Sequence, residues 1–192
     1  TLPSPRGGLT LANRIVVAPM CQYAATDGQA TDWHLMHWGN LLNSGAALFT
    51  IEATAVVPEG RITPACLGLW DDRTEAALAD TLHRARKLAP PVPVCIQLAH
   101  AGRKASSALP WQGAQLLSTA QGGWETFGPS ALPQLATEPP PTDEPKHLFR
   151  PLFPRNPHFP ALRVSPMAFS GATRKSKFLA VIPIPFSYPF GF

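Results

Sequence analysis

Four side chains capable of binding or proton chemistry follow the first apolar segment of the chain. Met20, Cys21, Gln22 and Tyr23 come directly after a β-branched run that ends at Pro19. In α/β folds, ligands and catalytic groups gather at the carboxyl ends of buried parallel strands. This run is therefore the place in the sequence where a functional site is expected to begin.

The elements that must position this site alternate between strand and helix. Ile15, Val16 and Val17 have the β-branched density expected of a buried parallel strand. Strands are predicted over residues 10–19, 46–53 and 92–98, and helices over residues 33–43 and 71–89. Asp32 is expected to cap the first helix and Gly45 to end it, and Asp71 or Asp72 is expected to open the second.

This order predicts repeated right-handed βαβ units and a parallel sheet. Three such strands within about one hundred residues fit the opening of a (β/α)8 barrel or of a doubly wound sheet. No GxGxxG follows the first strand, which disfavours a dinucleotide-binding start.

Charge and composition exclude several classes of function. Residues 1–138 carry nine Lys or Arg against ten Asp or Glu, whereas residues 139–192 carry seven against two. The basic pI therefore comes from the C-terminal segment, and nucleic-acid binding loses its main support. No apolar run is long enough to span a membrane, and no signal peptide is recognised. Three widely spaced cysteines favour a reducing, cytoplasmic setting over a disulfide framework or a zinc site.

The sequence pattern changes after about residue 133. Residues 139–192 hold twelve of the 23 prolines and eight of the ten phenylalanines, without helical or alternating periodicity. We therefore divide the chain into residues 1–133 and a Pro/Phe-rich basic tail over 134–192. The tail is expected to be irregular, either non-native sequence from a frame change or read-through, or disordered; the alternative is a Pro-rich linker or interaction segment.

Six collinear motifs within about residues 2–133 identify a family. They are Ala18–Tyr23 (APMCQY), Asp32–His34 (DWH), Glu52–Val56 (EATAV), Pro58–Pro64 (PEGRITP), Gln97–Ala105 (QLAHAGRKA) and Gly123–Glu125 (GWE). Together they resemble the old yellow enzyme family, in its bacterial-type branch that includes xenobiotic reductases. The resemblance implies an α/β fold, the first part of a truncated (β/α)8 TIM barrel.

The resemblance also implies an activity. Members bind FMN, take hydride from NAD(P)H and reduce activated alkenes such as enones, and they are often homo-oligomeric. The small-molecule alkene would be the partner of this chain, with no nucleic acid or membrane partner. The family's carbonyl-binding His/His or His/Asn pair, its proton-donating tyrosine and its phosphate site have no match after residue 133. Two alternatives therefore stay open: an inactive truncated fragment, or a small α/β binding protein with a Pro-rich interaction tail.

Four of the implied site residues are expected to contact the flavin. Pro19 and Met20 match positions whose backbone packs against the cofactor, and Ala53 matches a position where a small side chain lets the ring approach. Gln97 matches the amide that hydrogen-bonds the pyrimidine edge of the ring. For Ala53, a role in helix packing remains the alternative.

Two further residues are the implied catalytic pair. Cys21 matches the cysteine beside the isoalloxazine ring that tunes its redox potential, although a free Cys is more commonly a small buried hydrophobe. Tyr23 matches the substrate-site tyrosine, and its alternative is packing at a loop edge. His34 and His37 are interpreted as surface or packing residues, because no carboxylate is expected near them, and no metal site is predicted.

Overall fold

The computed structural model describes residues 1–2 and 8–143, together with the backbone of residues 180–184. Its strands and helices follow the order β1 (Val16–Val17), α1 (Asp32–Leu42), β2 (Leu48–Ala55), α2 (Asp72–Lys87), β3 (Val94–Ala99), β4 (Phe127–Gly128), β5 (Thr142–Asp143) and β6 (Ala180–Ile184). Short 3-10 turns lie at Pro58–Gly60, Gly102–Lys104, Pro110–Gln112 and Thr119–Gln121. No helix within this described part is long and apolar enough to cross a membrane.

The predicted parallel sheet is confirmed. β1 pairs in parallel with β2, and β2 pairs in parallel with β3, so that α1 and α2 are the two crossover connections. A bulge interrupts the β2–β3 pairing: Ile51 pairs with Ile96 and Ala53 with Gln97, which leaves Glu52 as the extra residue. The bulge thus sets which residue of β2 lies opposite Gln97.

The first strand is shorter and more exposed than its composition predicts. Only Val16 and Val17 form β1, and Ile15 and Val16 are 60% and 47% exposed. The prediction of a buried strand is wrong here, because β1 is the outer strand of the sheet among the described residues. Its β-branched residues therefore have a neighbouring strand on one side only.

A side chain takes part in the first turn of each helix. Asp71 caps α2 as predicted, its Oδ1 accepting the Thr74 N–H at 2.8 Å. The N-cap of α1 is Thr31 and not Asp32, which lies in the first turn. The His34 Nδ1 accepts the Thr31 N–H at 3.0 Å, and this contact moves the cap one residue upstream. Gly45 does not end α1 either, because the C-cap is Asn43.

The core lies between the sheet and the two helices. Trp38 and Leu42 of α1 and Leu82 of α2 pack with Ile51 and Val94 of the sheet. Burial of these apolar side chains is the main favourable term for this part of the chain. This packing holds the helices against the sheet and so positions the strand ends.

The tail contains two strands in its described part, β5 and β6, and β5 pairs in parallel with β4 over two residues. β6 pairs antiparallel with β3, and Pro183 lies opposite Cys95. An irregular tail was predicted, and this is wrong for residues 142–143 and 180–184. The segment Ala-Val-Ile-Pro-Ile is rich in β-branched residues and pairs with the edge of β3 that faces away from β2. Pro183 is tolerated because β6 is the outermost strand. The predictions for residues 144–179 and 185–192 lie outside the described residues.

Candidate functional site

Three residues meet at the carboxyl ends of the parallel strands. Ala53 of β2 lies opposite Gln97 of β3. The backbone of Ala53 also hydrogen-bonds the side chain of Cys21, which follows β1. The sheet therefore brings together a thiol, a small side chain and a carboxamide, although Cys21 and Gln97 lie more than seventy residues apart in the sequence.

The strand residues of this cluster are only partly covered by the described residues. Every residue of β2 is buried except Ala53, which is partly buried. Gln97 is likewise partly buried between two buried neighbours in β3. No hydrogen bond joins the Gln97 carboxamide to another residue of the described part of the chain, and a carboxamide offers both a donor and an acceptor.

The segment after β1 has a defined backbone. Met20 is 56% exposed, and its carbonyl oxygen accepts the Gln22 side-chain amide at 2.9 Å. Pro19 is partly buried beside it. Two residues after Cys21 the chain turns sharply, because Tyr23 has a φ of 52°. Such a conformation costs about 1–3 kcal/mol for a residue with a side chain, so the surrounding contacts must hold it.

Tyr23 is positioned by an aromatic contact. Its ring meets Trp111 edge to face, with centroids 5.9 Å apart. Burial, followed by electrostatic repulsion from the acidic groups of Cys21, Cys66 and Glu52, raises the pKa of the Tyr23 phenol. The phenol therefore stays protonated at neutral pH and is able to donate a hydrogen bond.

A buried pair of side chains, Glu52 and His34, supports the segment after β1. Glu52, only 3% exposed, accepts the Gln22 backbone N–H at its Oε2 over 3.0 Å. Its Oε1 lies 3.5 Å from Nε2 of His34, which is fully buried. Since the His34 Nδ1 accepts from the backbone of Thr31, the ring proton lies on Nε2, which faces Glu52 Oε1 without a hydrogen bond between the two atoms.

This pair corrects the prediction that no carboxylate lies near His34. The sequence gives one sign of this pair, a single carboxylate inside an apolar strand. The direction in which the Glu52 side chain points depends on the bulge, which involves β3. His37, one turn along α1, is partly buried, and burial lowers its pKa. Within the described residues, no group of three or more His, Cys, Asp or Glu side chains is arranged to hold a metal ion.

Cys66 is a second thiol at the site that the sequence motifs did not single out. It is 2% exposed, and the Cys21 and Cys66 side chains hydrogen-bond each other. The hydrogen bond from Cys21 lowers the pKa of Cys66 to about 7, and the same interaction, with burial, raises the pKa of Cys21. The first proton lost from the pair therefore comes from Cys66.

Arg61 holds the surrounding loops together. Its guanidinium lies 5.4 Å from the ring centroid of Trp70 and 4.8 Å from that of Trp124. The Trp124 indole N–H also donates to the Glu59 carbonyl oxygen at 2.9 Å. Through these contacts the Pro58–Pro64 motif packs against the Gly123–Glu125 motif.

Arg103 and Lys104 lie in the turn after β3. Lys104 is exposed and Arg103 is partly buried. The neighbouring His100 accepts the Gly102 N–H at 3.1 Å, and burial lowers its pKa. The segment is thus a compact turn beside the strand ends.

The fold is that of an α/β protein of parallel βα units, with Cys21, Ala53 and Gln97 gathered at the strand ends. A family model, the NADH:flavin oxidoreductase / NADH oxidase family, matches residues 3–124. An NADH:flavin oxidoreductase from Gibberella zeae is 44% identical over 132 residues, which is 67% of this chain and 32% of that protein. The chain belongs to the NADH:flavin oxidoreductase / NADH oxidase family.

Solved structures agree with this assignment. Morphinone reductase is similar with a TM-score of 0.50 and 25% identity, over 65% of this chain and 30% of that one. An old yellow enzyme from Pichia sp. AKU4542 gives the same TM-score and identity, over 64% of this chain and 29% of its own length. The chain therefore spans about a third of the length of these relatives.

Proposed function

We propose that this chain supplies one part of the FMN site of an oxidoreductase that passes hydride from NAD(P)H to an activated alkene. The observation that carries the proposal is the open cluster of Cys21, Ala53 and Gln97 at the strand ends. Family membership supports the cofactor. We further propose that the complete fold is a (β/α)8 barrel, of which β1, β2 and β3 are the first strands.

The residues present fit a flat, hydrogen-bonding ring. Ala53 offers a methyl group where a larger side chain would fill the space in front of β3. Gln97 offers one donor and one acceptor that the described chain does not use, which matches the alternating pattern of a pyrimidine edge. Bound FMN would supply the capacity to accept and release a hydride.

Cys21 and Tyr23 would act at the side of the site nearest β1. The Cys21 thiol is held by the Ala53 backbone and remains protonated because its pKa is raised. A neutral, polarisable sulfur there would stabilise an oxidised or reduced ring differently from a charged one. Tyr23, protonated and partly exposed, would donate a hydrogen bond to substrate.

The co-substrate and substrate follow from the relatives. The Gibberella zeae relative is named for NADH and flavin. A structure of morphinone reductase, similar at 25% identity with a TM-score of 0.50, is described as a complex with tetrahydroNAD. These support a nicotinamide as hydride donor, and the enone class of acceptor rests on the family resemblance.

The test is binding of FMN by the full chain. We expect quenching of flavin fluorescence on titration with the protein, and loss of the flavin absorption band on anaerobic addition of NADPH. Gln97→Ala should weaken FMN binding about tenfold, because one hydrogen-bond pair to a buried ring edge is lost. Gln112→Ala is the matched control, since Gln112 is exposed on the turn Pro110–Gln112.

Two results would contradict the proposal. Failure of the folded chain to quench FMN at any concentration would exclude a flavin site in this chain. Equal effects of the Gln97 and Gln112 substitutions would show that FMN binds elsewhere.

A further inference from the structure

Cys21 and Cys66 are adjacent although forty-four residues separate them in the sequence. Their side chains hydrogen-bond each other. The loops that carry them are joined by the Ala25 N–H, which donates to the Ala65 carbonyl oxygen at 3.0 Å. Both thiols are free in the structure. The fold thus holds two reduced sulfurs in contact at the edge of the proposed ligand site.

The surroundings of Cys66 stabilise a thiolate. Its Sγ lies 3.4 Å from both the backbone N–H and the hydroxyl of Thr63. The guanidinium of Arg61 interacts electrostatically with it, whereas Glu52 and the phenol of Tyr23 are the acidic groups that face the pair. The net effect is the pKa of about 7 for Cys66, below the ordinary value of 9.0.

We propose that Cys21 and Cys66 form a peroxide-sensitive dithiol that closes to an intramolecular disulfide. In the first step, the Cys66 thiolate attacks one oxygen of hydrogen peroxide; the O–O bond breaks, Cys66 becomes a sulfenic acid, and the released hydroxide takes a proton from solvent. In the second step, the Cys21 thiol loses its proton as its sulfur attacks the Cys66 sulfur. The S–OH bond breaks, and hydroxide leaves with that proton as water.

The stoichiometry closes without a further reactant. Two thiols and one peroxide give one disulfide and two waters, and the two electrons pass from sulfur to the peroxide oxygens. Peroxide is the oxidant proposed because Cys66 is only 2% exposed, which excludes larger oxidants from direct attack. The neighbouring Cys21 is partly exposed and already in contact, so it can resolve the sulfenic acid.

The disulfide would change the flavin site. It would draw the Cys21 sulfur away from its hydrogen bond with the Ala53 backbone and join the loop after β1 to the loop after β2. This consequence rests on the proposed function. The formation of the bond does not, and the test is designed to be independent of FMN.

The three cysteines lie on three different tryptic peptides, so the linkage can be read directly. Cleavage after Arg14, Arg61 and Arg73 places Cys21 in residues 15–61 and Cys66 in residues 62–73. Cys95 falls in residues 88–103 and serves as the internal control, because it is equally buried at 4% exposed and burial raises its pKa to about 11. The full chain is treated with hydrogen peroxide, denatured, alkylated and digested for mass spectrometry.

We expect a disulfide between peptides 15–61 and 62–73, with Cys95 still alkylated. Cys66→Ser should abolish the linked species, and Cys95→Ser should leave it intact. The rate of linkage should rise about tenfold from pH 6 to pH 8 and then level off, because the thiolate fraction saturates above the pKa of Cys66. A thiol at the ordinary pKa would give a rise of about a hundredfold over the same range.

The proposal is overturned if linked peptides involving residues 88–103 are as abundant as the expected pair. It is also overturned if Cys21 and Cys66 stay fully alkylated, or if each is oxidised separately with no linked peptide. A hundredfold rise in rate between pH 6 and pH 8 would exclude Cys66 as the attacking thiolate.

Discussion

Replacement of His34 by Ala is expected to lower the free energy of unfolding by about 3 kcal/mol. The side chain is fully buried, and its Nδ1 caps α1 through the Thr31 N–H at 3.0 Å. Loss of a helix cap costs about 1 kcal/mol. Loss of the fully buried ring, together with its electrostatic interaction with the Glu52 carboxylate 3.5 Å from Nε2, adds about 2 kcal/mol.

A double-mutant cycle isolates the second contribution. Glu52→Gln keeps an oxygen that can accept the Gln22 N–H but removes the buried charge. Once His34 is absent, Glu52 no longer faces its imidazole, so the substitution should cost less than it does in the wild type. We expect the double variant to lose about 1–2 kcal/mol less of the free energy of unfolding than the sum of the two single losses.

The measurement is urea unfolding at neutral pH, followed by far-ultraviolet circular dichroism. His83→Ala is the control, because His83 is exposed on α2, and its effect should stay within about 0.5 kcal/mol. Effects of His34→Ala and Glu52→Gln that add to within about 0.5 kcal/mol would refute the coupling. A His34→Ala effect no larger than that of His83→Ala would refute the burial argument as well.

Three further predictions concern local contacts. Asp71→Ala should cost about 1 kcal/mol at pH 7 through loss of the α2 cap. Because the backbone hydrogen bond from Thr74 lowers the pKa of this carboxyl, the wild type should be more stable than the variant above the ordinary pKa of Asp. This difference should disappear as pH falls through the lowered pKa of Asp71, and urea titrations across that range would measure it. Arg61→Lys keeps the charge but loses the planar group over two indole rings, and it should lower stability by about 1 kcal/mol and alter tryptophan fluorescence; unchanged emission would contradict the stacking. Gly68→Ala would place a Cβ against the ring of Trp70 and should cost about 1–3 kcal/mol in thermal unfolding, whereas Gly39→Ala, with open space at its Cβ, should stabilise α1 by about 0.5–1 kcal/mol.

Local signals in the sequence predicted most of the architecture. The strand–helix alternation and the Asp71 cap depend on neighbours within a few residues, and the parallel sheet follows from that alternation; all three are confirmed. The α1 cap was wrong by one residue because Thr31 and Asp32 are both good caps, and His34 decides between them. The choice is made by a side chain three residues away that the pattern did not include.

The misses involve contacts between distant segments. Glu52 reads as part of a regular strand, and only the pairing of β2 with β3 reveals the bulge. Cys66 belongs to no pattern along the chain, and it joins the site through Cys21. The exposure of Val16 follows from the sheet order and not from its own β-branched neighbours. Each miss needs a partner that sequence spacing alone does not supply.

The extra residue in β2 also determines how this strand tolerates changes in length. Ile51 pairs with Ile96, so a strand shortened by one residue at the bulge would place the next side chain directly opposite Gln97. If Ala53 were the residue lost, a carboxylate would face that carboxamide, and the support for the Gln22 backbone would be lost in the same step. Point substitutions at Glu52 and Ala53 can be independent, but a deletion there changes both positions at once. We therefore expect related sequences to vary in side chain along β2 while keeping its residue count between Ile51 and Ala55 unchanged.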